Sequence, residues 1–119
     1  MKKINLKFFQ NKILIDQAET LIALIFKKGC SGCLKLYVFL NELKIQNPYF
    51  NFCLIDYDEN KEILDKLKFK TVPIIVGFKN FEMNLILDNC LNFNGKEIKN
   101  FYQLINNFKK NENKIISNM

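Results

Sequence analysis

Six consecutive apolar residues, Leu21-Ile22-Ala23-Leu24-Ile25-Phe26, run into a cysteine pair, Cys30-Ser31-Gly32-Cys33, and then into an amphipathic stretch. A run this short and this uniformly apolar suits a strand covered on both faces. Past the cysteines, Leu36, Phe39, Leu40 and Leu43 recur at the i, i+3, i+4, i+7 spacing of a helix that turns one face to a core. Asn47-Pro48 stops that helix, because the residue before a proline is pushed out of the helical region. The cysteine pair thus stands at a strand-to-helix junction, where it reads as a dithiol–disulfide redox centre. Free N–H groups of the first turn and the positive end of the helix dipole stabilise a thiolate on the first cysteine. The i, i+3 spacing brings the second sulfur within bridging range.

The flanking elements extend the pattern. Phe50 to Asp56 is a second apolar run, and two such strands joined by a helix are expected to be parallel with a right-handed crossover. Asp58-Glu59-Asn60 leads into a helix over residues 61–67. Pro73 to Phe78 reads as another strand, Lys79-Asn80 as a turn, and Glu82 to Leu87 as the hairpin partner. At the N-terminus, Lys2 to Leu6 alternates like a short edge strand. Asn5 is expected to cap a first helix reaching about Asp16, with Phe8, Phe9, Ile13 and Leu14 as its stripe. Asn94-Gly95 opens a last helix that turns Ile98, Phe101, Tyr102, Ile105 and Phe108 inward. The expected order is βαβαβαββα: an α/β fold with a central mixed sheet flanked by helices, one domain over residues 1–109, and a polar tail over 110–119.

Composition narrows the chemistry. A chain of 119 residues that is 49% hydrophobic can bury its own core and is not of the disordered class. The net charge of +6 comes from lysine alone, without arginine. The lysines are scattered, which fits a solvated surface; nucleic-acid binding, which leans on arginine's fork, is the lesser alternative and is not expected. No apolar run approaches the roughly 20 residues that span a bilayer. Met1-Lys2-Lys3 is not followed by a secretory apolar region, so the expectation is a cytoplasmic monomer with no membrane association. The absence of histidine removes Cys–His and Ser–His nucleophile pairs and mixed Cys/His zinc sites. Only Cys30 and Cys33 of the four cysteines share a motif spacing, so neither a metal nor another cofactor is expected. Cys53, inside the second apolar run, reads as a small core residue.

Four landmarks in order resemble the thioredoxin family over nearly the whole chain. They are Cys30-x-x-Cys33 after its strand, Ile55-Asp56 followed by Glu59-Asn60, Thr71-Val72-Pro73, and Phe78-Lys79-Asn80. The resemblance implies a thioredoxin fold and a protein disulfide oxidoreductase that reduces disulfides by dithiol exchange. Cys30 is then the nucleophile and Cys33 the resolving thiol, with Gly29, Ser31 and Gly32 completing the active-site loop. It also implies a cis Val72–Pro73 bond, with Thr71, Val72 and Pro73 forming a substrate-binding segment beside Cys30. The implied partners are disulfide-containing proteins and a reductase or other electron donor. Lys27 and Lys28 either favour the Cys30 thiolate or are solvated loop residues. Cys90 is either a plain loop cysteine or a third thiol that modulates the centre.

The chain departs from the family's pattern in four places. Glycine (Gly29) stands where the family has tryptophan, and Gly32 replaces the proline inside the motif. The family's buried aspartate and its lysine partner match Leu24 or Ile25 and Phe52, all apolar. Losing both partners avoids an unpaired buried charge, and it removes the usual proton acceptor for Cys33. Two alternatives stand beside the reductase. One is a glutaredoxin-like, glutathione-dependent enzyme, although a double-glycine-aspartate stretch is absent from Asp88-Asn89-Cys90-Leu91. The other is a redox-inactive adaptor built on the same fold.

Overall fold

The computed structural model describes residues 1–46, 48, 51–87, 103 and 107. Among these residues seven strands are present: β1 (Lys2–Lys3), β2 (Lys7–Phe9), β3 (Lys12–Leu14), β4 (Leu21–Phe26), β5 (Asn51–Asp56), β6 (Ile74–Lys79) and β7 (Glu82–Leu87). Helices α1 (Ser31–Gln46), after β4, and the short α2 (Lys61–Lys66), after a single turn at Asp58–Asn60, accompany them. One mixed sheet joins all seven strands in the order β1-β5-β4-β6-β7-β3-β2. As the two apolar runs require, β4 and β5 are parallel, with Leu24 level with Leu54 and Phe26 with Asp56. β6 lies antiparallel on the other side of β4, with Ile25 level with Ile74.

The helix expected from Asn5 to Asp16 is not there; the segment is a hairpin, β2 and β3. Gln10 and Asn11 both take positive φ, 51° and 62°, as a two-residue turn with the strands' own twist demands. The reason is long-range. β3 pairs with β7 at Leu14 and Glu82, and the Ile15 N–H donates to the Phe81 carbonyl at 2.9 Å. The hairpin therefore satisfies a strand edge that a helix would have left bare. Among the described residues the order is ββββαβαββ, so the chain opens on four strands where a βαβ start was expected. The second hairpin turns at Asn80-Phe81, one residue later than expected, again with both φ values positive. Of the expected last helix, Gln103 and Asn107 are described, both helical and exposed; its apolar stripe and the 110–119 tail lie outside the described residues.

Pleating divides the core into two layers. Leu21, Ala23 and Ile25 of β4 join Ile55, Val76 and Phe78 on the face that α2 covers with Leu64. Ile22 and Leu24 point the other way, onto Leu36, Leu40 and Leu43 of α1, with Phe52 and Ile75 beside them. Strand β4 is therefore buried on both faces along almost its whole length. Among the described residues no helix is long and apolar enough to cross a membrane.

One polar side chain fastens the N-terminus to this frame. Asn60 is 5% exposed; its Oδ1 accepts the Leu6 N–H at 2.8 Å, and its Nδ2 donates to the Asp56 carbonyl at 2.9 Å. Replacing Asn60 by alanine leaves a buried donor and a buried acceptor unsatisfied. Asn60→Ala is expected to lower unfolding free energy by about 2–3 kcal/mol, read from a urea titration; a loss below about 0.5 kcal/mol would contradict this role.

Candidate redox site

The chain leaves the sheet at the C-terminal end of β4 and must reverse into α1 within four residues. Gly29 makes that possible with φ +82°, a conformation that strains any residue bearing a Cβ. The space around it is open, with nothing within 4 Å of a notional Cβ, so the backbone and not crowding selects glycine. A tryptophan at this position would carry that strain, which gives the loss of the family's tryptophan a local physical basis. The Cys30 N–H then closes a turn onto the Lys27 carbonyl at 3.3 Å, and the Leu34 N–H begins the helix on the Cys30 carbonyl at 3.2 Å.

Cys30 and Cys33 are joined as a disulfide, with Cα atoms 5.2 Å apart. The two differ in exposure. Cys30 is half-buried at the mouth of the loop, whereas Cys33 is 4% exposed. The Cys33 N–H donates to Cys30 Sγ at 3.1 Å, a bond that strengthens when that sulfur carries charge. Beside the pair lies a cavity of about 490 Å³. Its apolar wall is Leu24, Phe26, Leu34, Tyr37 and Leu54; Lys27, Gly29, Cys30, Ser31 and Cys33 complete the described lining. No carboxylate is among these residues.

Sheet register adds a detail to this wall. Leu24 lies level with Leu54, whereas Phe52 lies level with Ile22. The apolar residue paired with Leu24 at the cavity is thus Leu54, and Phe52 packs deeper in the α1 layer.

The other expected residues fall as follows. The Val72–Pro73 peptide is cis. Pro73 is buried, Val72 half-buried and Thr71 exposed, immediately before β6. Because Ile25 is level with Ile74, this segment and the Lys27–Cys30 loop sit at the same end of the sheet. Lys27 lines the cavity and also places Nζ 4.5 Å from the centre of the Tyr57 ring. Lys28 is exposed and does not line the cavity; Gly32 lies in the first turn of α1. Cys90 lies outside the described residues. Cys53 is buried in the α2-side core, where desolvation pushes its thiol up despite the opposing pull of Lys44 and Lys2. Tyr57, Tyr37 and Leu54 were not singled out by sequence; their signal is positional, through the β5 register and the first turns of α1.

No family model matches the chain, and no curated protein does. Solved structures do. Thioredoxin f2 of Chlamydomonas reinhardtii superposes with a TM-score of 0.60 at 19% identity, covering 77% of this chain and 81% of that one. Plasmodium falciparum thioredoxin gives 0.59 at 23% identity, covering 73% and 82%. Oxidised mitochondrial thioredoxin 3 of Saccharomyces cerevisiae gives 0.52 at 21% identity, covering 60% and 67%. The chain has the thioredoxin fold.

The burial order predicts a labelling order. After reduction, a limiting amount of iodoacetamide should modify Cys30 ahead of Cys33, and Cys53 should take label only once the protein is unfolded. Peptide mass spectrometry reads the three sites; native labelling of Cys53 would contradict its placement in the core.

Proposed function

We propose that this protein is a thiol–disulfide oxidoreductase that reduces protein disulfides through Cys30 and Cys33. The observation that carries the reading is the Cys30–Cys33 bridge at the N-terminus of α1, with the more exposed sulfur accepting the Cys33 N–H.

The oxidised pair is one end of the cycle; an external dithiol, supplied by a reductase or another donor, returns it to two thiols. Cys30 then attacks as a thiolate. A new bond forms between Cys30 Sγ and one substrate sulfur, the substrate disulfide breaks, and the departing thiolate takes a proton from water. Cys33 next loses its proton and attacks Cys30 Sγ. The mixed disulfide breaks, the substrate leaves with its second thiol, and two electrons have passed from the dithiol to the substrate. The helix N-terminus favours the negative charge on Cys30 at each stage. Lys27, the charged residue among the described cavity lining, adds a cation on the same side.

With Leu24 and Leu54 beside the pair and no carboxylate among the described cavity lining, water entering the cavity takes the Cys33 proton. The resolving step then depends on the ionisation of Cys33 itself. Thr71, Val72 and Pro73 supply the segment along which an extended substrate lies, at the same sheet end as Cys30. The reducing direction accords with the cytoplasmic setting expected from the sequence.

Single-cysteine variants test the order of events. Cys33→Ser, reduced and mixed with a disulfide-bonded protein such as insulin, should accumulate a mixed disulfide visible on non-reducing gels. Cys30→Ser should accumulate none. The reversed pattern would exchange the two roles, and failure of the wild type to reduce any protein disulfide would sink the proposal.

A further inference from the structure

Tyr57, the first residue past β5, touches both segments that flank the dithiol and is not part of the exchange chemistry described above. Its N–H donates to the Phe26 carbonyl at 2.9 Å, carrying the β4–β5 ladder one step beyond its last pair and into the loop that holds Cys30. The ring, in a residue 5% exposed, lies under Lys27 Nζ at 4.5 Å, within the range of a cation–π contact. At the far end of the ring, the single phenolic proton lies between two acceptors: Asp65 Oδ1 at 2.9 Å and the Phe69 carbonyl at 2.8 Å. Burial, first, and then the bond to Asp65 hold the phenol above its ordinary value, so it remains a donor through the neutral range. Phe69 is two residues before Thr71, on the strand-entry segment that ends at Pro73.

A core residue needs only the apolar part of this arrangement. A phenylalanine would fill the same volume among Leu64, Ile63 and Leu67. What the hydroxyl adds is a fixed link from the ring to the Phe69 carbonyl, while the other contacts link the same residue to Phe26 and Lys27. One rigid side chain therefore spans from the dithiol loop to the approach of the cis-proline segment.

We propose that Tyr57 is a positioning residue: it sets the separation between the Lys27–Cys30 loop and the Thr71–Val72–Pro73 segment, so that a polypeptide disulfide can engage both together. The proposal rests on the reductase reading and specifies its substrate class as extended polypeptide. A small disulfide, which needs only the Cys30 sulfur, does not depend on the link.

Tyr57→Phe keeps the ring and its contact with Lys27 and frees the Phe69 carbonyl. With dithiothreitol as donor, its KM for insulin should rise about tenfold, the equivalent of one lost hydrogen bond, with kcat little changed. Turnover of hydroxyethyl disulfide should match the wild type. Asp65→Ala leaves the phenol free to give its proton wholly to Phe69, so its KM for insulin should stay near that of the wild type. An equal loss on both disulfides, or no loss on insulin, overturns the proposal. Amide hydrogen exchange supplies a readout that needs no activity. In Tyr57→Phe the segments 27–30 and 70–72 should both exchange faster, while β4 and β5 do not. If neither segment or only one quickens, the link does not exist, whatever the enzyme assays give. If the wild type reduces neither disulfide, the reductase reading fails and exchange alone decides the role of Tyr57.

Discussion

Burial of β4 on both faces is the constraint from which the rest of the architecture follows. A strand with Leu21 to Ile25 all enclosed needs hydrogen-bonding partners on each edge and a helix over each face. β5 and β6 supply the edges, α1 and α2 the faces. Each fully buried leucine or isoleucine contributes on the order of 2 kcal/mol by leaving water, which gives the strand a large share of the drive to fold. Enclosure also dictates where chemistry can occur. The strand's sides are covered, so its C-terminal end is where the chain emerges, and there the turn at Gly29 delivers Cys30 to the start of α1.

The redox site combines a rigid frame with an unusual electrostatic setting. Its sulfur ligands are backbone and helix dipole rather than an imidazole, which the chain lacks altogether. Leu24 and Leu54 stand in the wall beside the pair, and the described lining holds no carboxylate. The inner sulfur is buried against an apolar wall, whereas the outer one is nearer solvent and accepts a first-turn N–H. The two side chains are chemically identical, and what separates them in the structure is burial and the Cys33 N–H bond to Cys30 Sγ.

Much of this was legible in the sequence. β4, α1, β5, α2 and the β6–β7 hairpin each carry a local signal, either a short apolar run or a stripe at helical spacing, and the structure has all of them. The N-terminal segment misled because Phe8, Phe9, Ile13 and Leu14 suit a helical stripe as well as two short strands around Gln10-Asn11. Neither turn residue is a glycine, so the positive φ values had no sequence marker. What decided between the two was the unpaired edge of β7, more than 60 residues away in the chain. The same holds for the site. The cysteines and Pro73 announce themselves by motif, whereas the link through Tyr57 joins Phe26, Lys27, Asp65 and Phe69, which no local pattern connects. The pairing of Leu24 with Leu54 needed the strand register, which sequence position alone did not supply.

The hairpin that replaced the expected first helix also settles how the sheet ends. An exposed strand invites other chains to continue its ladder, and the invitation grows with its length. Among the described residues the sheet stops on one side at β1, two lysines long, and on the other at β2, three residues with Lys7 at its head. The six-residue strands lie inside, and Lys66 sits over the ring of Phe8 on the outer strand. A long free edge would let a second chain extend the ladder and nucleate aggregation. With both described borders short and basic, neither offers such a template.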